Sequence, residues 1–295
     1  MSRIAYVNGR YTPLRDAQVN VEDRGYQFAD GVYEVCEVRG AQLVDAPLHM
    51  ERLQRSLREL RIRMPMTLAA LLVVLNETIR RNRVDDGIVY LQITRGVAHR
   101  DHHFPPDSTP PAVVVTARHL DYGSVDALAA KGIAVITVPD ERWARVDIKS
   151  VSLLPNVLAK QAAHEKGAKE AWLVDREGYV TEGSSTNAWI VNDQGEVITR
   201  QVDRAILRGV TRTVLLKLLA DRGERLMERA FTVAEARAAR EAFVTSASQT
   251  VMPVVRIDDW TIGAGKPGKL ALALRAAFHR YSDFAGNAKI SKEIP

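Results

Sequence analysis

A single cysteine, Cys36, stands among 295 residues. That excludes an intramolecular disulfide and a cysteine-rich zinc site. No apolar run approaches membrane-spanning length, and Met1-Ser2-Arg3-Ile4 opens no secretory hydrophobic region, so a cytoplasmic enzyme or binding protein is expected. Basic residues are scattered rather than gathered into a tract. The formal charge of +5 therefore favours small anionic ligands over nucleic acid, and neither nucleic acid nor membrane is an expected partner. Internal repeats and low-complexity stretches are also missing. What is there is 46% hydrophobic and 26% charged residues, a globular balance in a chain long enough for a large core and about two domains.

The pattern is mixed α/β, of the α+β kind. Strands are expected at Ile4 to Val7, Val32 to Val38, Ile88 to Thr94 and Ala112 to Ala117. A helix from Asp45-Ala46-Pro47 places Met50, Leu53, Leu57 and Leu60 on one face, and a second follows Thr67. This makes a small α+β domain over residues 1–120, with a linker at 121–131 beginning Asp121-Tyr122-Gly123-Ser124. A larger strand-rich domain with flanking helices then spans 132–285, and a polar tail 286–295. Within the larger domain, strands are expected at Ile133 to Val138, Ala171 to Val174, Tyr179 to Thr181, Ala188 to Val191, Val197 to Thr199 and Ala242 to Val244. Helices are expected at Val157 to Lys166, Val210 to Asp221 and Lys269 to Tyr281, and Thr232 with Glu235 has capping-box spacing for another.

The residue with most to say is Lys149, in Arg145-Val146-Asp147-Ile148-Lys149-Ser150. Between Ile148 and the run Val151 to Leu154, its amine would be partly withdrawn from water, and desolvation favours the neutral form that Schiff-base chemistry uses. The other reading is a lysine snorkelling from a strand edge. Downstream, Glu182-Gly183-Ser184-Ser185-Thr186-Asn187 follows a strand, so a turn at Gly183 aims the Glu182 carboxylate inward. A fixed carboxylate with small hydroxyl residues fits the ring and phosphate of pyridoxal phosphate. Arg208-Gly209-Val210-Thr211 opens a helix whose first amides suit an anion or simply mark its cap.

Five motifs occur in order: Asp23-Arg24-Gly25-Tyr26-Gln27-Phe28-Ala29-Asp30-Gly31-Val32-Tyr33-Glu34-Val35, His49-Met50-Glu51-Arg52-Leu53, Arg100-Asp101-His102, Asp147-Ile148-Lys149-Ser150 and Glu182 to Asn187. Together, from Ile4 to Tyr281, the chain resembles the fold-type IV pyridoxal phosphate aminotransferases, and within them the D-amino-acid aminotransferases. The resemblance implies that Lys149 is the Schiff-base lysine and proton-transfer base, and that Glu182 pairs with the pyridine nitrogen. It also implies that Arg52, Ser184, Ser185, Leu207, Gly209, Val210, Thr211, Ser246 and Ala247 complete the pyridoxal 5'-phosphate site. Relatives often carry threonine where Ala247 stands, which removes a side-chain bond there. His49 is placed near the cofactor by the resemblance, and a capping or packing role is equally open.

The resemblance further implies that Tyr33, Arg100 and His102 hold the substrate's α-carboxylate, with the Arg100–His102 loop reaching over from a second subunit of a homodimer. A guanidinium, a phenol and an imidazole all donate hydrogen bonds, which suits a carboxylate; Asp101 is an acidic neighbour that weakens or re-aims the cradle. A metal site at His99, His102 and His103 has no further ligands to complete it. The expected reaction is ping-pong transfer of the amino group of a D-amino acid to a 2-oxo acid. The alternatives are a branched-chain L-amino-acid aminotransferase, an (R)-amine transaminase and an aminodeoxychorismate lyase.

Overall fold

The computed structural model describes residues 3–283, so the tail expected over 286–295 lies outside the described residues. The chain is a mixed α/β protein divided into two compact units: one runs to Tyr122 and takes in Ile148–Ser152 and Asp283, and the other comprises Gly123–Asp147 and Leu153–Ser282.

The first unit is built on strands β1 (Ile4–Val7), β2 (Arg10–Pro13), β3 (Gly31–Arg39), β4 (Gln42–Leu43), β5 (Gly87–Thr94) and β6 (Ala112–His119). They form one antiparallel sheet in the order β2-β1-β6-β5-β3-β4. Helices α1 (Arg24–Phe28), α2 (Ala46–Glu59) and α3 (Leu68–Asn82) accompany it. Helix α2 buries Met50, Leu53 and Leu57 and α3 buries Leu71, Leu72, Leu75 and Ile79, each at helical spacing. These side chains pack against Val32, Cys36, Val38, Val89, Leu91, Val113 and Val115 from alternate positions of the sheet. Pro47 is tolerated in the first turn of α2, and the Thr67 side chain caps α3 by accepting from the Ala70 amide.

The second unit holds strands β7 (Ile133–Pro139), β8 (Glu170–Val174), β9 (Tyr179–Gly183), β10 (Asn187–Val191), β11 (Val197–Thr199), β12 (Leu226–Glu228), β13 (Phe231–Thr232), β14 (Glu241–Ser246), β15 (Thr250–Ile257) and β16 (Trp260–Thr261). The sheet order is β12-β11-β10-β14-β15-β7-β8-β9-β13, with β16 paired to β15. Its helices are α4 (Tyr122–Lys131, whose first residue belongs to the first unit), α5 (Leu154–Glu165), α6 (Val210–Asp221), α7 (Val233–Ala238) and α8 (Lys269–Phe278). Helix α6 has the bounds its apolar spacing predicts, and α7 opens with the expected Thr232–Glu235 capping box.

Several elements differ from the expectation. The segment 121–131 is mostly helix α4 rather than linker, because Val125, Leu128 and Ala129 at helical spacing pack into the second unit's core. Helix α5 begins three residues before Val157, since Pro155 in the first turn needs no amide partner. Strand β15 goes unforeseen because Pro253 sits inside it. Pro253 pairs with Phe243 of β14, whereas pairing with β7 starts only at Val254, so the missing N–H costs no ladder bond on that side. Lys149 and its neighbours, expected in the larger domain, group with the first unit. Asp283 does too, its amide and carbonyl bonding to Asp45.

Candidate active site

In the first unit the site is organised by β3. One edge of this strand pairs with β5 from Gly31 to Val38, but β4 covers the other edge only at Val38 and Arg39. Segment Ile148–Ser152 takes the start of that edge, with Ser150 bridging Val32. The Tyr33 amide donates to the Lys149 carbonyl at 3.0 Å, and the Val151 amide donates to the Gly31 carbonyl at 3.0 Å. The Lys149 amide donates to Ser56 Oγ of α2 at 3.3 Å. Backbone groups that need partners are thereby paired, and Lys149 is anchored through both its amide and its carbonyl.

Lys149 is half-buried, and its Nζ lies 4.2 Å from the centroid of the Tyr33 ring, a cation–π contact. Tyr33 stacks on Tyr90 at 5.8 Å, and the Tyr90 hydroxyl donates to Gln92 Oε1 at 2.8 Å. Burial, with the neighbouring Tyr33, pushes the Tyr90 phenol up to about 12, so it is a neutral donor at any physiological pH.

Glu34, the next residue along, points to the helix side. It is fully buried, and its Oε1 and Oε2 accept from Arg52 Nε at 2.9 Å and Nη2 at 2.7 Å, while Oε2 also lies 2.8 Å from His49 Nδ1. Burial alone would raise this carboxyl. The charge and hydrogen bonds of Arg52, then those of His49, outweigh it and hold Glu34 at about 2. Arg52 is therefore held in a bidentate ion pair, its side chain only 10% exposed.

Arg100 and His102 sit in an exposed loop gathered around Phe28. The Arg100 guanidinium is 5.0 Å from the Phe28 ring centroid and the His102 ring 5.5 Å. Arg24 holds the loop: its Nη1 donates to the Asp101 carbonyl at 2.6 Å and its Nε to Asp30 Oδ2 at 2.8 Å. Arg95 pairs with the same Asp30 and covers the Phe104 ring at 3.7 Å. The Asp101 carboxylate turns back on its own loop, accepting from the His102 amide at 2.6 Å, and that bond holds it below the usual carboxylate range. Among the described residues, no hydrogen bond or ring contact of this chain joins Arg100 or His102 to Tyr33 or Lys149.

In the second unit Glu182 lies within β9 rather than after it, and is buried. Arg142 pairs with its Oε1, while Oε2 accepts from Asn187 Nδ2 at 2.9 Å and the Leu207 amide at 3.1 Å. Arg142 is in turn gripped by Asp140, Nε to Oδ1 at 2.9 Å and Nη2 to Oδ2 at 2.8 Å. Burial opposes the charge on Asp140, but the Arg142 bonds and charge dominate and leave its carboxyl lowered. Burial likewise opposes the charge on Arg142, and the two carboxylates overcome it and raise the guanidinium. These donors, one of them a guanidinium, fix the direction of the Glu182 carboxylate.

The turn after β9 is tight: the Gly183 amide donates to the Thr186 carbonyl at 2.7 Å, and a Cβ on Gly183 would stand 2.1 Å from Thr186 Oγ1. The Ser184 and Ser185 hydroxyls both donate to buried Glu170, which commits their protons to the protein. Thr186 Oγ1, by contrast, is buried with no hydrogen-bond partner. The Asn187–Thr245 register brings Ser246 to this same end of the sheet, with Ala247 next in the turn toward β15. Gly209 caps α6 without a side chain, so the Val210 and Thr211 amides have no intrahelical acceptor. A Cβ there would meet Asn187 Oδ1 at 2.1 Å. The helix start, with first-turn amides that have no intrahelical acceptor, suits an anionic group.

The amino-transferase class IV family model matches residues 31–257, a span that runs from β3 to the end of β15. The chain belongs to that family. The class IV match takes in Tyr33, Arg52, Lys149, Glu182 and Gly209. D-alanine aminotransferase of Staphylococcus haemolyticus is 38% identical over 276 residues, covering 94% of this chain and 96% of the relative. D-alanine aminotransferase of Bacillus licheniformis is 40% identical over 270 residues, covering 92% and 94%. Among solved structures, a branched-chain amino acid aminotransferase from T.th., complexed with N-(5'-phosphopyridoxyl)-L-glutamate, superposes with a TM-score of 0.83. It is 27% identical and covers 94% of this chain and 93% of that one. The same enzyme with pyridoxamine 5'-phosphate has a TM-score of 0.85 at 26% identity, with the same coverage.

Sequence reading misses Arg142, Asp140, Glu34, Glu170, Arg24, Phe28 and Tyr90 as parts of these clusters. Asp140-x-Arg142 is a salt-bridge spacing just before the lysine segment, and is the one local signal. Apart from the Arg24–Asp30 and Tyr90–Gln92 pairs, the others pair across 14 to 77 residues of sequence, where no spacing betrays them.

Proposed function

We propose that this class IV aminotransferase moves the amino group of a D-amino acid to a 2-oxo acid, the substrate class carried by the names of its D-alanine aminotransferase relatives. Pyridoxal 5'-phosphate is the cofactor. D-alanine and 2-oxoglutarate would give pyruvate and D-glutamate by a ping-pong route, and the atoms balance in that exchange. The observation that carries the site assignment is the Lys149 amine, anchored by its own peptide against β3 and laid over the Tyr33 phenol.

When bound, the cofactor supplies an aldehyde carbon that accepts the amino group and a pyridine ring that draws electrons from the substrate's α-carbon. Lys149 Nζ is the covalent anchor and the base that lifts and returns the α-proton. Glu182, with Oε1 held by Arg142 and Oε2 by Asn187 and the Leu207 amide, would hold a proton on the ring nitrogen. Arg52 and the Gly209, Val210 and Thr211 helix start hold the phosphate, with Ser246 and the Ala247 backbone beside them. Because the Ser184 and Ser185 hydroxyls bond Glu170, their part is to shape the turn. Tyr33 with Arg100 and His102 takes the substrate carboxylate. Arg100 and His102 are exposed on their own chain and held rigid by Arg24 and Phe28, which supports their reaching into the site of a second subunit. A cytoplasmic homodimer is the form we propose.

The test is product chirality. Incubating the enzyme with D-alanine and 2-oxoglutarate should yield equimolar pyruvate and D-glutamate, with L-alanine inert. L-glutamate formed from L-leucine, or pyruvate released from aminodeoxychorismate with no amino acceptor, would replace this reading.

A further inference from the structure

We propose that Glu34 is a positioning residue for the cofactor's phosphate, acting through Arg52; this rests on the reading of Arg52 as a phosphate ligand. Arginine recognises phosphate through a planar fork, so its grip depends on the plane and rotation of the guanidinium as much as on its charge. Arg52 is carried on a long stem from α2, which by itself leaves those angles open. Glu34 closes them. It sits in the middle of β3, opposite Leu91 of β5, and its two oxygens take Nε and Nη2, one edge of the fork. With that edge held, the direction of the remaining N–H bonds on the guanidinium is set by the sheet rather than by the side chain.

His49 completes the clamp. An ionised carboxylate only accepts, so the His49 Nδ1 at 2.8 Å from Glu34 Oε2 carries its proton. The 3.5 Å approach of Arg52 Nη2 to that same nitrogen is then donor against donor and is no hydrogen bond. The contribution of His49 is instead to hold Oε2, the oxygen that Arg52 Nη2 also grips. Glu34 also partly neutralises Arg52, which by charge alone would weaken phosphate binding. Aim and charge thus predict opposite signs for Glu34→Gln, and for Glu34→Asp only aim predicts a loss, which separates them.

The experiment compares dissociation constants of the full chain for pyridoxal 5'-phosphate and for pyridoxal, which lacks the phosphate, by absorbance titration. Glu34→Asp keeps the charge and withdraws the carboxylate by one methylene; Glu34→Gln removes the charge. Both should weaken the phosphorylated ligand about ten-fold, and leave pyridoxal within about two-fold, so that the ratio falls. An unchanged ratio, equal losses for both ligands, or tighter phosphate-dependent binding by Glu34→Gln overturns the proposal. If Glu34→Gln does not fold, Glu34→Asp decides alone. Arg52→Lys is the reference: a lowered ratio there with a normal ratio in the Glu34 variants sinks the role of Glu34 only. An unchanged ratio in Arg52→Lys removes the phosphate reading of Arg52 itself.

Discussion

Each unit buries one glutamate against one arginine, and the two pairs are built in opposite senses. In the first, Glu34 gives both oxygens to Arg52 and the second oxygen also to His49, so the carboxylate is consumed in orienting the cation. In the second, Arg142 is locked edge-on by Asp140 and reaches Glu182 with one nitrogen, while Asn187 and the Leu207 amide hold the other oxygen. There the cation is consumed in orienting the carboxylate. The same ion-pair chemistry aims a positive group in one unit and a negative group in the other. For an enzyme whose cofactor carries a phosphate at one end and a basic ring nitrogen at the other, both kinds of aim are required. Buried pairs are poor sources of stability, and their value here is direction.

This contrast ranks the substitutions. In the proposed scheme Lys149 is the group that acts and the pairs are supports, so Lys149→Ala should cost most: about 10⁴-fold in transamination rate, with loss of the bound cofactor's long-wavelength absorbance. Full activity in that variant would break the scheme at its centre. Next comes the second unit's pair. Arg142→Met strands two buried carboxylates and should destabilise the protein by about 3–5 kcal/mol, read as a lowered midpoint in thermal or urea unfolding. Arg142→Lys should recover part of the stability but little of the rate, since a point charge cannot hold both carboxylates in the fork's geometry.

The first unit's pair predicts an acid limb. Glu34 is held at about 2 in the fold against an ordinary value of 4.5. A lowered carboxyl contributes stability that is full above its unfolded pKa and is lost as pH falls from about 4.5 toward 2, amounting to about 3 kcal/mol. Glu34→Gln should flatten that part of the stability–pH profile; an unchanged profile would mean the pair contributes nothing. The smallest effect belongs to the loop. Phe28→Leu removes the ring shared by Arg100 and His102 and should raise the KM for D-alanine roughly five-fold with kcat nearly kept, the pattern of lost substrate binding.

Much of the fold is legible in the periodicity. The apolar faces of α2, α3 and α6 and the runs in β3, β5, β6 and β7 are set by burial, which writes itself into spacing. Motif order picks out Lys149 and Glu182 as candidates, and the opening of a helix picks out Gly209. What stays hidden is set by partners far away in sequence. Lys149 joins the first unit because its segment pairs with the open edge of β3, and a strand edge leaves no local trace. Arg52 looks like a surface arginine until Glu34, 18 residues earlier, is seen beneath it. Pro253 argues against a strand until the register shows where β7 begins to pair.

The most direct test of the account is a single half-reaction without any 2-oxo acid, in which the holoenzyme is mixed separately with D-alanine and L-leucine and its cofactor absorbance is followed. Rapid bleaching by D-alanine, with stoichiometric pyruvate and no change with L-leucine, is the predicted result. Bleaching by L-leucine with none by D-alanine would contradict it.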